Sequence, residues 1–176
     1  MTRRWFAMSA IGRDRPGIVA DLAELIYECD CNLEDSRMTI LGSEFAVLLL
    51  CSGTGDDLER RLSTGCKRLE WEKRLTVFFR PLEEALPSIE LPAGTALECV
   101  VTGVDKAGIV ARVARTVADE GATVTDLHSE LRPEPNTGTP MYTMRMKLVV
   151  PTTRDARALR EALEAVAAEL RVDLSV

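Results

Sequence analysis

Histidine is nearly missing: His128 is the only one in a chain of 176 residues. Catalysis or metal binding built on imidazole has little to draw on. Zinc needs four thiolate or imidazole ligands at recurrent spacing, and that pattern is absent, so no metal and no cofactor is expected. The five cysteines are an odd number without framework spacing, which argues against a disulfide scaffold and suits a reducing cytoplasm. Cys29 and Cys31 form a CxC pair that reads as structural thiols at a helix end, while Cys51, Cys66 and Cys99 stand singly along other elements. No apolar run reaches the length of a membrane span. Asp14 and Arg15 interrupt the opening segment too early for a signal-peptide core. Runs of lysine and arginine are lacking too. At a net charge of −6 and a pI of about 5.0 the chain has no basic face for phosphates, so direct nucleic-acid binding is not expected. Nor is there a GxGxxG fingerprint, a Gly-Lys-Ser/Thr phosphate loop, or a nucleophile and base in recognisable context; no enzyme is expected.

What is present is an ordinary globular composition, 46% hydrophobic and 28% charged, enough for a packed core. It is arranged twice. Residues 12–20 read GRDRPGIVA and residues 103–111 read GVDKAGIVA; at this offset of 91, residues 12–40 align with 103–131 without a gap. Gly12/Gly103, Asp14/Asp105, Gly17/Gly108, Ile18/Ile109 and Asp35/Asp126 are among the matches. One long repeat points to two related domains rather than a solenoid. The segment PLEEALPSIELPAG, residues 81–94, carries three prolines and a glycine and reads as a stiff linker between units 1–80 and 95–176.

Periodicity gives the same element order in each copy. WFAMSAI is strand-like, and Ile18, Leu22, Leu25, Ile26 and Cys29 recur at helical spacing after a turn in which Pro16 suits the first helical residues. NLEDSRMTIL and EFAVLLLCS read as strands around a hairpin at Gly42. Thr54 and Asp57 resemble a helix-opening pair before the stripe Leu58, Leu62, Cys66 and Leu69, and LTVFF closes the unit. The second copy follows suit with ALECVVTGV, a helix on Ile109, Val113 and Val117, strands TVTDLHSEL and MYTMRMKLVV, a helix on Leu159, Leu163, Val166 and Leu170, and a last strand in VDLSV. Its inserted segment RPEPNTGTP, residues 132–140, is expected to be an unpaired loop. The predicted fold class is α+β: two ferredoxin-like βαββαβ units, each a four-stranded antiparallel sheet with two helices on one face.

Two features suggest chemistry. The first is the turn Gly12, Arg13, Asp14, Arg15, Pro16, Gly17, Ile18, with its copy Gly103, Asp105, Lys106, Ala107, Gly108, Ile109. A helix start gathers unpaired N–H groups that favour an anion such as a carboxylate; equally, the turn serves only to bend the chain and Asp14 only to satisfy those donors. The second is a change of hydrophobic parity in CNLEDSRMTIL, from odd-numbered Leu33 to even-numbered Met38 and Ile40, which predicts a β-bulge around Asn32, Asp35 and Ser36. Asn32 offers an amide that both donates and accepts, or simply starts the strand. Asp35 and Asp126 are placed to meet an amino group, or else a neighbouring arginine or backbone donor.

GRDRPGIVADLAELI followed by CNLEDSRMTILGSEF resembles the ACT domain, and within it the glycine cleavage system transcriptional repressors. The resemblance spans both halves. It implies a regulatory module that binds a small amino acid, with glycine the suspected effector, and acts through a DNA-binding activator protein without gripping DNA itself. It also implies a ligand lying where one unit's turn meets the second strand of another, with Asn32 and its neighbour Leu33 as contacts. Because Thr123 stands where the first copy has Asn32, the two half-sites are not equivalent, and the preferred site joins residues 103–109 to the Asn32 strand. An interaction module with vestigial sites, indifferent to amino acids, is the alternative, and a homodimer is the expected assembly.

Overall fold

The computed structural model describes residues 3–83 and 93–176. The chain divides into two compact units, Met1–Ile89 and Glu90–Val176. The first is built from β1 (Arg3–Arg13), α1 (Ile18–Glu28), β2 (Cys31–Leu41), β3 (Glu44–Thr54), α2 (Leu58–Lys73) and β4 (Thr76–Leu82). The second repeats it as β5 (Gly94–Val104), α3 (Ile109–Asp119), β6 (Thr123–Pro133), β7 (Pro140–Pro151), α4 (Ala156–Leu170) and β8 (Asp173–Ser175). Each unit is a four-stranded antiparallel sheet, ordered β2-β3-β1-β4 and β6-β7-β5-β8. The α+β architecture is the one predicted.

Period-two alternation gives each sheet one buried face. In the first unit Phe6, Met8 and Ala10 of β1 and Phe45, Val47, Leu49 and Cys51 of β3 meet Leu22, Leu25 and Ile26 of α1 and Leu58, Leu62, Cys66 and Leu69 of α2. In the second, Cys99 and Val101 of β5 and Met144, Met146, Leu148 and Val150 of β7 meet Ile109, Val113, Val117, Leu159 and Leu163. The methionine series is core. Each Leu, Ile, Val, Phe or Met among them, fully buried, contributes about 1.5–3 kcal/mol.

Several local expectations need correction. Pro16 precedes the helix: α1 starts at Ile18 behind Gly17, which takes φ 91°. Asp57 occupies the N-cap position of α2 without making a side-chain cap bond, and Thr54 is the last residue of β3. The inserted segment pairs at both ends, Arg132 opposite Met141 and Pro133 opposite Pro140. The true connection is short, closed by Glu134 N–H donating to Thr139 O at 2.8 Å and Gly138 N–H to Glu134 O at 2.9 Å. Proline is tolerated there because β6 is an edge strand and Pro140 opens β7. By the same rule β4, another edge, runs through Pro81 to Leu82, and Gly94 already belongs to β5. Residues 84–92 of the expected linker lie outside the described residues.

Candidate functional site

Both turns share one geometry. Gly17 and Gly108 lie in the left-handed region, φ 91° and 96°, immediately before α1 and α3, and neither helix has a side-chain cap. The first-turn N–H groups of both helices therefore point outward without a side-chain acceptor. Asp14 does not cap; its N–H donates to Ser43 O at 2.8 Å, and the matching Asp105 N–H donates to Pro140 O at 3.0 Å. Gly12 and Gly103 are small for packing within their own units. A Cβ at 12 would sit 2.7 Å from Leu75 Cδ2, and one at 103 would sit 2.8 Å from Val172 Cγ1. Ile18 and Ile109 point into the cores, whereas Asp14, Pro16, Asp105, Lys106 and Ala107 are exposed.

The turns differ in charge. Arg15 Nη2 is paired with Asp21 Oδ2 at 2.6 Å, and Arg15 Nη1 donates to Pro16 O at 3.2 Å. The hydrogen bond from Arg15 holds the Asp21 carboxyl below its ordinary range, with Lys73 Nζ, 3.3 Å away, adding to it. In the second unit Lys106 replaces Arg15 and Arg112 replaces Asp21. Arg112 pairs with Glu169, and Lys106 has no ion-pair partner among the described residues. Arg15 is spent on the fold, whereas Arg13 in the same turn and Lys106 in the other are exposed with no ion-pair partner among the described residues.

The predicted bulge is present in β2, where pairing shifts between Leu33, opposite Cys51, and Asp35, opposite Leu50. Glu34 is the extra residue, and it is the functional-looking side chain that sequence reasoning passed over. Its Oε1 accepts from Ser52 Oγ at 2.6 Å, Asn32 Nδ2 at 3.0 Å and Arg3 Nη2 at 2.5 Å. Arg3 Nε in turn donates to Ser52 Oγ at 2.8 Å. These bonds, Ser52's first, lower the Glu34 pKa. They also orient Asn32: its NH₂ is engaged, which leaves its amide oxygen as the outward acceptor. Asp35 Oδ1 accepts from its neighbour Ser36 N–H at 2.7 Å. The signal for Glu34 was the centre of the parity change itself. In β6 the same shift falls between Val124 and Asp126, but Thr125 fills the bulge and donates to Lys147 O at 3.2 Å. Asp126 and Thr123 are exposed without a matching network among the described residues.

An apolar cleft of about 60 Å³ lies between α1 and the bulged strand, with Val19, Leu33, Ser36 and Met38 at its walls. A larger cavity of about 280 Å³, between α1 and α2, is lined by Arg60, Arg61 and Arg68. Each of those arginines already holds an acid: Asp57, Asp30 and Glu28 respectively. That cavity is a helix-packing seam at the far end of α1 from the turn. No group of His, Cys, Asp and Glu among the described residues is arranged to hold a metal ion. Cys29, Cys51 and Cys66, on separate elements as their spacing suggested, share the first core with Cys31 packed against them. No described helix is long and apolar enough to cross a membrane.

An ACT-domain family model matches residues 6–80, and the second unit repeats the same order and bulge. The chain has a tandem ACT-domain architecture. The glycine cleavage system transcriptional repressor of Escherichia coli (strain K12) is 26% identical to this tandem ACT protein over 175 residues, 99% of this chain and 90% of that one. A crystal structure of an unknown protein from Galdieria sulphuraria is 27% identical with a TM-score of 0.77, covering 99% of this chain and 97% of its own. A second structure, assigned as a glycine cleavage system transcriptional repressor, shares the fold at a TM-score of 0.72 and 23% identity, over 99% of this chain and 96% of its own. The chain is thus related in sequence along nearly its whole length to a glycine cleavage system transcriptional repressor.

Proposed function

We propose that this protein is an amino-acid sensor, with glycine as its suspected ligand, that controls transcription through a DNA-binding activator protein in the cytoplasm and works as a homodimer. The uncapped start of α3 and Lys106 offer donors and positive charge to a ligand carboxylate, and the Asn32 amide oxygen and Asp35 offer acceptors to a ligand ammonium. The observation that supports this reading is the free cation beside the uncapped start of α3. Arg15 is consumed by Asp21, whereas Lys106 is exposed and unpaired among the described residues. A carboxylate beside an uncapped helix start and a lysine gains both hydrogen bonds and charge. Binding regulates the partner only if the ligand prefers one arrangement of the protein.

Calorimetric titration with glycine, alanine and serine tests the reading, with Lys106→Ala and Asn32→Ala as controls. Heat and a thermal upshift for the wild type, lost in both variants, are expected. No heat and no shift at millimolar ligand sinks it. The replacement of Asn32 by Thr123 in the second copy favours the alternative, an amino-acid-independent interaction module. In that case pull-down of the activator is the same with and without glycine.

A further inference from the structure

We propose that Cys31 of β2 and Cys51 of β3 form a peroxide-reactive dithiol, which closes to a disulfide across the bulged edge of the first sheet. The proposal goes beyond the amino-acid reading and does not depend on it. Four of the five cysteines gather in the first unit, Cys29, Cys51 and Cys66 in its core with Cys31 packed against them. At the matching places the second unit has Glu120, Leu148, Ala167 and Ala122. The shared architecture therefore does not require thiols there.

Register brings two of these thiols together. Cys31 faces Gly53, Asn32 faces Ser52 and Leu33 faces Cys51, so Cys31 and Cys51 lie on the same side of the sheet, diagonally across one strand pair. Cys51 Sγ–H donates to Cys31 Sγ, with Phe6 O, 3.7 Å away, as its other acceptor. Cys31 Sγ–H has Cys29 O at 3.8 Å. Gly53 leaves the space for this arrangement, since a Cβ there would sit 3.1 Å from Cys31 Sγ.

The two sulfurs differ as an attacking and a resolving thiol must. Cys31 is partly exposed, and its pKa is lowered by the bond from Cys51, with Arg61 adding to it. Cys51 is buried, and the same bond and its desolvation raise its pKa. An accessible thiolate is the form that peroxides oxidise. The Cys31 thiolate attacks hydrogen peroxide: an S–O bond forms, the O–O bond breaks and hydroxide leaves. Cys51 sulfur then attacks the Cys31 sulfenic acid. The S–S bond forms, the S–O bond breaks, and the hydroxyl departs as water with the Cys51 proton. The two thiols are oxidised and the peroxide is reduced. Cys29 is the poorer resolving group, because it is the buried C-cap of α1 and turns its carbonyl oxygen toward Cys31. The bridge spans the Asn32–Ser52 pair, on which the Glu34 hydrogen bonds are built. Oxidation thus acts on the strand pair that shapes the bulge.

Titration of the reduced full chain with hydrogen peroxide, read by thiol count and by mass spectrometry of non-reduced peptides, tests the dithiol. The wild type is expected to lose the Cys31 and Cys51 thiols together, gain the cross-link between them, and recover both with dithiothreitol. Cys31→Ser is expected to keep Cys51 reduced. Cys51→Ala is expected to stop at the Cys31 sulfenic acid, which dimedone captures; circular dichroism checks that both variants are folded. Hydrogen exchange at residues 31–36 is expected to change by about threefold or more on oxidation, with residues 122–127 unaffected. Full thiol retention in the wild type, a Cys29–Cys31 bridge, loss of the Cys51 thiol in Cys31→Ser, or exchange indifferent to oxidation overturns the proposal. No amino acid enters these readouts, so their failure is separate from failure of the sensor reading.

Discussion

The two units are one backbone with two surfaces. Both place a left-handed glycine before an uncapped helix, both need a glycine where the first strand passes the residue leading into the last one, and both carry a bulge near the start of β2 or β6. Their exposed chemistry has diverged. The first unit couples Arg15 to Asp21 and Glu34 to Arg3, Ser52 and Asn32; the second has Lys106, Arg112, Thr125 and Thr123 at the corresponding turn, helix and strand positions. Core packing and turn geometry tolerate little change, because a misplaced methyl or a forbidden φ costs a large part of a small domain's stability. Surface positions meet no such demand. Sameness therefore marks architecture here, and difference marks where function can reside.

Four measurements break or sharpen that comparison. The largest effect is expected from Gly17→Val and Gly108→Val. Each forces a β-branched residue into positive φ and destabilises its own unit by about 1–3 kcal/mol in chemical denaturation. Markedly unequal losses would mean that the turns are not equivalent. Next, Asn32→Thr copies the second unit's residue into the first, and glycine affinity is expected to fall by about tenfold, near 1.4 kcal/mol by calorimetry. An unchanged affinity would remove Asn32 from the site.

Acid should separate the units more gently. Asp21 and Glu34 have folded pKa values depressed below their ordinary ones. Such groups stabilise the fold at pH values above the unfolded carboxylate range, and that contribution is lost as pH falls through the folded values. Thermal melts between pH 7 and pH 3 are expected to show the first unit losing stability first, with Asp21→Asn flattening its dependence. Simultaneous loss in both units would contradict this. The smallest effect is kinetic. A hydrogen bond from Cys51 lowers the Cys31 pKa, and Cys31 is partly exposed. Cys99 is buried and pushed up to about 11 by desolvation. Native-state alkylation followed by mass spectrometry is therefore expected to label Cys31 first and leave Cys99 silent.

Local pattern carried most of the fold. Helical stripes such as Leu58, Leu62, Cys66 and Leu69 are buried as predicted, and the parity change in β2 revealed a bulge, because a one-residue insertion moves later side chains to the other face. Capping and strand ends were harder to read. Pro81, Pro133 and Pro140 looked like loop residues, yet edge strands and strand starts do not need the missing N–H. The partners of Glu34 were illegible for another reason. Its role depends on Arg3 and Ser52, which only the register brings beside it. Likewise, the spent charge of Arg15 became visible only with Asp21 one helical turn inside α1.

The matched bulges have a consequence for how this chain reaches its native state. A bulge pins an edge strand, since slipping by one residue would misplace it. Here β2 and β6 carry theirs at the same place, so backbone geometry alone does not stop either strand from docking on the wrong sheet during folding. Strand exchange is a characteristic hazard of duplicated domains. The guard against it must come from side chains, and Glu34 is well suited to that duty. On β3 it finds Ser52, with Arg3 of β1 alongside; on β7 it would face Val149, with Gly94 in place of Arg3. A carboxylate that finds its partners only at home works as a proofreading mark for the strand that carries it.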